Sequence, residues 1–329
     1  MIDILPSLLK AGAGVGALLL VMVGLYGLSR LLPDRWRERA QTGVFLFPAL
    51  VLLLGLVIPA ILNLRYSFDN RNGVFSGLTN YKHIFTDRES RIVLRNTLWW
   101  ALFVTVVSTS VGILIARLAD GLRGEPIAKA LIFLPTAISM VGAGIIWNFV
   151  YSPSDFGLLN SLWRLLPGDQ GTQYFLQDRT FFGLRSSWIP GLNSFYIMVV
   201  VIWIQAGFAT VVMSAALKGV PSDLVEAAKI DGATERQAFF RVVLPYVRGT
   251  VITVATTTVI TVLKIFDIIQ TMGRGGLFDT STVANEMYRQ AFPQNNKGLG
   301  SAWAVILFVL VLPIVFVNSW NQRRMREGN

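Results

Sequence analysis

Seven long apolar stretches constrain this chain more than any other feature: residues 9–29, 43–62, 96–118, 130–151, 195–217, 249–271 and 300–320. Each has about the 20 residues that an α-helix needs to cross the hydrocarbon core of a bilayer. Inside lipid every backbone N–H and C=O must be satisfied within the segment. The expected fold is therefore an all-α integral membrane protein of about seven transmembrane helices. Charge content agrees, at 15% of residues against about 25% in ordinary soluble domains. The first stretch is too long for the apolar part of a signal peptide, and no small-residue cleavage site precedes "RLLPDRWRER", so a retained helix is expected. The chain has no cysteine and one histidine, His83. That excludes disulfides and a multi-histidine metal site, and leaves His83 as a polar loop residue.

The net charge of +10 would suggest nucleic acid in a soluble protein. Here the basic residues sit in short connections between apolar runs, with no basic stripe interleaved with aromatics, so no nucleic-acid partner is expected. Placing the tail "NQRRMREGN" in the cytoplasm puts the shorter connections, with Arg30, Arg35, Arg117, Lys129, Lys218 and Lys229, on the same side. Basic residues in short loops mark the cytoplasmic face, so the N-terminus is expected outside and the C-terminus inside. The cluster Arg65, Arg71, Lys82, Arg88, Arg91 and Arg95 runs against this assignment. The corresponding organisation is an accessory first helix and basic loop (1–42), a second helix with its outer loop (43–95), a core of five spans (96–320) containing a polar loop (218–248), and a tail (321–329). The connection of about 40 residues after the fourth span is punctuated by Pro and Gly and carries Leu, Trp and Phe. It is expected to form a small packed cap.

The polar loop contains "VEAAKIDGATERQAFFRVVLP", residues 225–245. Ser222 is placed to N-cap a first short helix, and Gly232 can end it with a positive φ. Thr234 and Gln237 have the spacing of a capping box for a second helix. Pro245, which has no N–H to donate, favours a redirection of the chain. Helices this short are marginal in water and need a surface to pack on. A groove in a partner protein and the lipid surface both satisfy that need.

The stretch resembles the EAA loop of ABC importer permeases: Glu226-Ala227-Ala228, three residues, Gly232, then Val242 where the family has Ile, then Leu244-Pro245. "SFDNRNGVFSGLTNYKHIF" and "LKIFDIIQTM…STVANEMYRQAF" resemble segments of the sugar-importing, maltose-type branch. "MGRGGLFDTST" departs from the usual Gly-rich turn and, with "ANEMY", looks most like permeases for α-glucosides and related glycosides. The resemblance implies a multi-pass subunit of the cytoplasmic (inner) membrane of a prokaryote. Glu226, Ala227, Ala228, Asp231, Gly232, Leu244 and Pro245 would then form a coupling helix seated on an ATPase. It also implies as partners two ABC ATPase subunits, a second homologous permease, an extracytoplasmic solute-binding protein and a sugar or glycoside, expected to be a di- or oligosaccharide.

No Gly-x-x-x-x-Gly-Lys-Ser/Thr phosphate loop occurs, so the chain itself is expected to bind no cofactor. ATP and Mg would reside on the ATPase subunits, and no catalytic constellation is visible. The sixth span offers a polar stripe through Thr250, Thr253, Thr257, Thr261, Lys264 and Thr271, with Asp267 in reach of Lys264. It can line a path, or it can serve helix packing, with threonines bonding their own backbone. Trp147 and Tyr151, with Asn148 beside them, suit a sugar's apolar faces and hydroxyl rim, or an interfacial aromatic belt. Gln205 in the fifth span is another lining candidate, whereas Ser108, Gly112 and Ala116 have the spacing of close helix packing. Three other readings are an ion-coupled secondary transporter using Lys264 and Asp267, a non-transporting scaffold, and an ABC permease for another small solute.

Overall fold

A computed structural model describes residues 33–167 and 171–327, with scattered positions between 12 and 30. The first apolar stretch, 9–29, lies largely outside the described residues. The chain divides into two compact units, 1–63 and 64–329. Regular structure among the described residues is helical apart from two isolated β-bridges.

The first unit contains most of α1 (Asp34–Tyr66), which takes up the expected basic loop as well as the second apolar stretch and has Pro48 and Pro59 inside it. The apolar side chains of its Leu46–Tyr66 window are exposed, as suits a lipid-facing helix.

In the second unit, α2 (Thr79–Thr86) places His83 on an exposed helical face rather than in a loop. It leads into α3 (Arg88–Ala119), which begins eight residues before the expected third span. The carboxylate of Asp87 caps α3 by accepting from the Ser90 N–H at 2.9 Å. That bond holds the Asp87 carboxyl below its usual pKa. A π-turn at Trp100–Val104 widens α3 and turns Trp100 and Val104 into the core.

The fourth apolar stretch does not form the single helix expected. It is α4 (Glu125–Phe133), a 3-10 turn (Leu134–Ala137) and α5 (Met140–Val150), with an angle of 101° at the break. Pro135 lies in the turn, where it cannot donate to a helical ladder. Ser139 starts α5 afresh by accepting from the Gly142 N–H at 3.0 Å. Neither piece reaches the length needed to cross a bilayer alone. The described part of the 152–194 connection contains α6 (Leu158–Trp163) and is largely exposed, with Phe156, Leu165, Phe182 and Trp188 each more than three-quarters exposed instead of packed as expected. Its buried Asn160 donates to the Ser152 and Gln173 carbonyls and accepts from the Gln173 N–H.

Helix α7 (Leu192–Lys218) follows the fifth stretch closely, and α8 (Ser222–Ile230) and α9 (Glu235–Tyr246) follow it. Helix α10 (Arg248–Leu263) ends eight residues before the sixth stretch does, and α11 (Asp267–Thr271) follows a break at 264–266. The break is stabilised from elsewhere in the chain, because the Thr282 hydroxyl donates to the Ile265 carbonyl at 3.0 Å. Helices α12 (Val283–Ala291) and α13 (Lys297–Glu327) complete the unit, and α13 runs into the segment expected as a separate tail. Among the described residues four helices, including α1, are long and apolar enough to cross a membrane. The α4–α5 pair and the α9–α10 pair are each bent by more than 40°.

A close crossing joins α3 to α7. Ser108, Gly112 and Ala116 all face inward, and a Cβ added to Gly112 would lie 2.4 Å from the Ala209 Cβ and 2.9 Å from its carbonyl carbon. Small residues let two membrane helices approach to backbone contact, where dispersion replaces the missing hydrophobic drive. Gly112→Leu should force the helices apart at a cost of about 1–3 kcal/mol. The expected outcome is a lower Tm in detergent, with no comparable change for Gly55→Leu, because a Cβ at Gly55 meets no heavy atom within 4 Å.

Candidate functional site

Residues 222–246 form two short helices joined through Gly232. The expected local chemistry is largely present. Gly232 has φ +85°, a left-handed value that L side chains rarely adopt. Thr234 and Gln237 make both bonds of a capping box. Two details differ. The N-cap of α8 is Pro221, and the Ser222 hydroxyl bonds the Asp223 carboxylate at 3.3 Å instead of a backbone N–H. The helix also continues through Pro245, and the 69° bend falls at Val247. A π-turn at Phe239–Val243 precedes the proline, which fits the way such turns absorb a disturbed ladder.

No residue of α8 is buried. Glu226, Ala227, Asp231 and Gly232 are exposed, Ala228 is half-buried, Leu224 is exposed and Ile230 is 86% exposed. On the second helix Leu244 is half-buried and Pro245 exposed. The segment is anchored by burial of Ala238 and Val247 and by exposed ion pairs. Glu235 bridges Lys229 at 2.7 Å and Arg117, at the end of α3, at 3.2 Å, and the Arg117 guanidinium also lies over the Phe239 ring. Nearby elements are tied together by Glu125, which pairs with Lys218 at 2.6 Å and with Lys129. Arg117 and Glu235 lie 118 residues apart in sequence, so no spacing could have disclosed their contact.

The polar-path candidates do not share one site. Asn148 and Tyr151 line a cavity of about 270 Å³ together with Tyr174, Gln177, Thr271 and Arg274. Asn148 donates to the Thr271 carbonyl at 3.1 Å, and the buried Tyr151 hydroxyl donates to the Tyr196 carbonyl at 3.0 Å. Trp147 is absent from that lining and packs against Trp203 and Tyr151. Gln205 is nearly buried inside α7 and does not reach the cavity. Thr257 and Thr261 stand on an exposed face of α10, each hydroxyl bonding the carbonyl four residues earlier. Lys264 and Asp267 are exposed on either side of the break and form no ion pair with each other, contrary to expectation. The stripe is therefore interrupted at Lys264 instead of continuing to Thr271. Tyr196, beside the cavity, and Lys218, beside the 222–246 segment, are separated by 22 residues of one helix, or about 33 Å. That segment and the cavity accordingly lie toward opposite ends of α7.

Residues 108–327 match the family described as the inner membrane component of binding-protein-dependent transport systems. The chain belongs to that family. This permease is 41% identical over 282 residues to the osmoprotective compounds uptake permease protein GgtC of Synechocystis, covering 84% of this chain and 96% of the other. It is 40% identical over 296 residues to the alpha-glucoside transport system permease protein AglF of Rhizobium meliloti, covering 87% and 83%. Its fold matches a chain in the crystal structure of a bacterial ABC transporter involved in import of the acidic polysaccharide alginate, with a TM-score of 0.72 over 88% of this chain and 99% of that one, at 21% identity. The permease is thus a membrane-spanning, inner-membrane subunit of a binding-protein-dependent ABC importer, as the EAA resemblance implied.

The Asn148–Thr271 bond is the side-chain tie between α5 and α11, the short pieces of the two interrupted stretches. Asn148→Leu keeps the volume and removes the bond. The permease should lose about 0.5–1.5 kcal/mol, read as a fall in Tm, while Thr257→Val on the exposed face should leave Tm nearly unchanged.

Proposed function

We propose that this permease forms half of the translocation path for an α-glucoside or a related glycoside, and that residues 222–246 couple it to two ATPase subunits. The observation that carries the coupling reading is α8: a nine-residue helix with no buried residue, held out on ion pairs, with Ile230 and Leu224 uncovered. Such a helix is too short to be stable alone, and a groove in a partner gives Ala227 and Ala228 a close fit. Glu226, Ala227, Ala228 and Asp231 present the contact, Gly232 makes the corner, and Leu244 and Pro245 carry the motion towards the 69° bend and α10. This reading sets the segment in the cytoplasm and the 270 Å³ cavity near the outer face. Energy comes from ATP and Mg on the partner subunits, and cargo from an extracytoplasmic solute-binding protein.

The exposed face of α10 supports a second permease. Lipid against Thr257, Thr261 and Lys264 would be costly, about 2.5–3.5 kcal/mol for the lysine alone. These side chains, with Asp267, therefore line the path shared with the second permease. The glycoside class rests on the similarity to permeases named for α-glucosides and osmoprotective compounds and on the rings and amide at Tyr151, Tyr174 and Asn148.

Glu226→Lys in the reconstituted importer should leave the permease inserted but lower transport per ATP hydrolysed by about tenfold or more, as expected for loss of a charge pair at an interface centre. Uptake at the wild-type ratio would remove the coupling assignment. A cysteine placed by Ala228→Cys should cross-link to an ATPase subunit, whereas labelling by a lipid-borne reagent would put α8 on the membrane. Cargo is tested by a panel of α-glucosides and other osmoprotective solutes against ATPase stimulation; stimulation by none of the glycosides would retire that class.

A further inference from the structure

A second cavity, of about 840 Å³, opens between the start of α3 and the 179–191 segment. Five guanidiniums line it, those of Arg88, Arg91, Arg95, Arg179 and Arg185, against one carboxylate, Asp279. Two of the five have work inside the fold. Arg95 donates to the Ser186 and Ser187 carbonyls at 3.0 and 3.3 Å and to Asn96. Arg179 lies 3.9 Å from Asp279 and over the Phe278 ring. Arg88, Arg91 and Arg185 are exposed and have no side-chain partner among the described residues. Arg88, Arg91 and Arg95 are three and four residues apart, so one face of α3 presents them together.

The position is unusual for this charge. Arg117, at the far end of α3, touches the coupling segment, and Arg95 is 22 residues away from it, about 33 Å along the helix. The cavity therefore belongs to the end of α3 opposite the coupling segment, where short basic clusters are disfavoured in membrane proteins. Its other wall is apolar, formed by Leu98, Trp99, Trp188 and Ile189. The Trp99 indole donates to the Trp188 carbonyl at 2.7 Å, and the Trp188 ring is 82% exposed. Below the cavity Leu98, Leu102 and Val106 are all exposed at four-residue spacing, forming an oily strip that starts at the arginines. Guanidiniums pair well with phosphate oxygens, and tryptophan favours the level of lipid headgroups.

We propose that this cavity binds the headgroup of an anionic phospholipid, with its phosphate on Arg88, Arg91 and Arg185 and an acyl chain along Leu98, Leu102 and Val106. Assignment to the outer leaflet rests on the orientation given under the proposed function; the site itself does not. A docked acidic protein would meet the same charges, but it leaves the strip from Leu98 to Val106 without a role.

The test places the full-length permease in nanodiscs of phosphatidylcholine containing a minor fraction of phosphatidylglycerol and counts retained lipids by native mass spectrometry. The wild type should retain phosphatidylglycerol in excess of its share. The triple variant Arg88→Gln, Arg91→Gln, Arg185→Gln should lose that enrichment by about tenfold or more. The triple lysine variant at the same positions should keep much of it. Because these three side chains make no bond among the described residues, the substitutions remove no support seen there, and the wild-type count stands on its own in any case. Absence of enrichment in the wild type, or equal enrichment in the glutamine variant, would overturn the proposal. Displacement of the lipid by inorganic phosphate would put a soluble anion in the cavity. A loss of binding-protein stimulation with an unchanged lipid count would give the arginines to a docked protein. The lipid count involves neither cargo nor ATP, so it fails or succeeds independently of the transport reading.

Discussion

The close approach of α3 and α7 at Gly112 and Ala209 is the contact on which the rest of the second unit depends. In lipid there is no hydrophobic drive to bring two oily helices together, so their association rests on packing. Backbone-level contact at this crossing fixes the two long helices side by side. Everything functional then hangs from their ends. Arg117 at the end of α3 pairs with Glu235 of the 222–246 segment, and the Tyr196 carbonyl near the start of α7 receives the Tyr151 hydroxyl at the cavity.

Two interrupted helices supply the polar chemistry that this oily pair lacks. The α4–α5 break and the α10–α11 break release backbone groups that a continuous helix would consume. Thr282 uses one of them, donating to the Ile265 carbonyl, while Asn148 reaches the Thr271 carbonyl at the end of α11. Irregular backbone at membrane depth is tolerated where protein or a water-filled cavity lies beside it. The cavity lined by Asn148, Tyr151 and Thr271 lies at the far ends of α5 and α11.

How much of this is written in the chain depends on how local the cause is. The capping box of Thr234 and Gln237 and the corner at Gly232 are legible because each is decided within a few residues. Helix α7 is legible too, since its apolar run contains no proline. The fourth stretch misleads because apolarity measures preference for lipid and not straightness; Pro135 was the available signal for the turn. The sixth stretch has no such signal at Lys264, because the bond that supports the break comes from Thr282, 17 residues away. The Lys264–Asp267 pair failed for the same reason: i, i+3 geometry holds only while the helix does. The motif from Glu226 to Pro245 was readable as a pattern, but the ion pairs made by Glu235 beside it were not. The convergence of Arg95 with the 185–188 segment spans about ninety residues and appears only in three dimensions.

Helix α8 has a consequence for how the protein must be made. Ile230 and Leu224 leave α8 a short sticky rod, the kind of signal that chaperones and proteases look for. Under the proposed coupling, balanced synthesis of all the subunits is a requirement set by nine residues, and the lifetime of an orphan copy is limited by them.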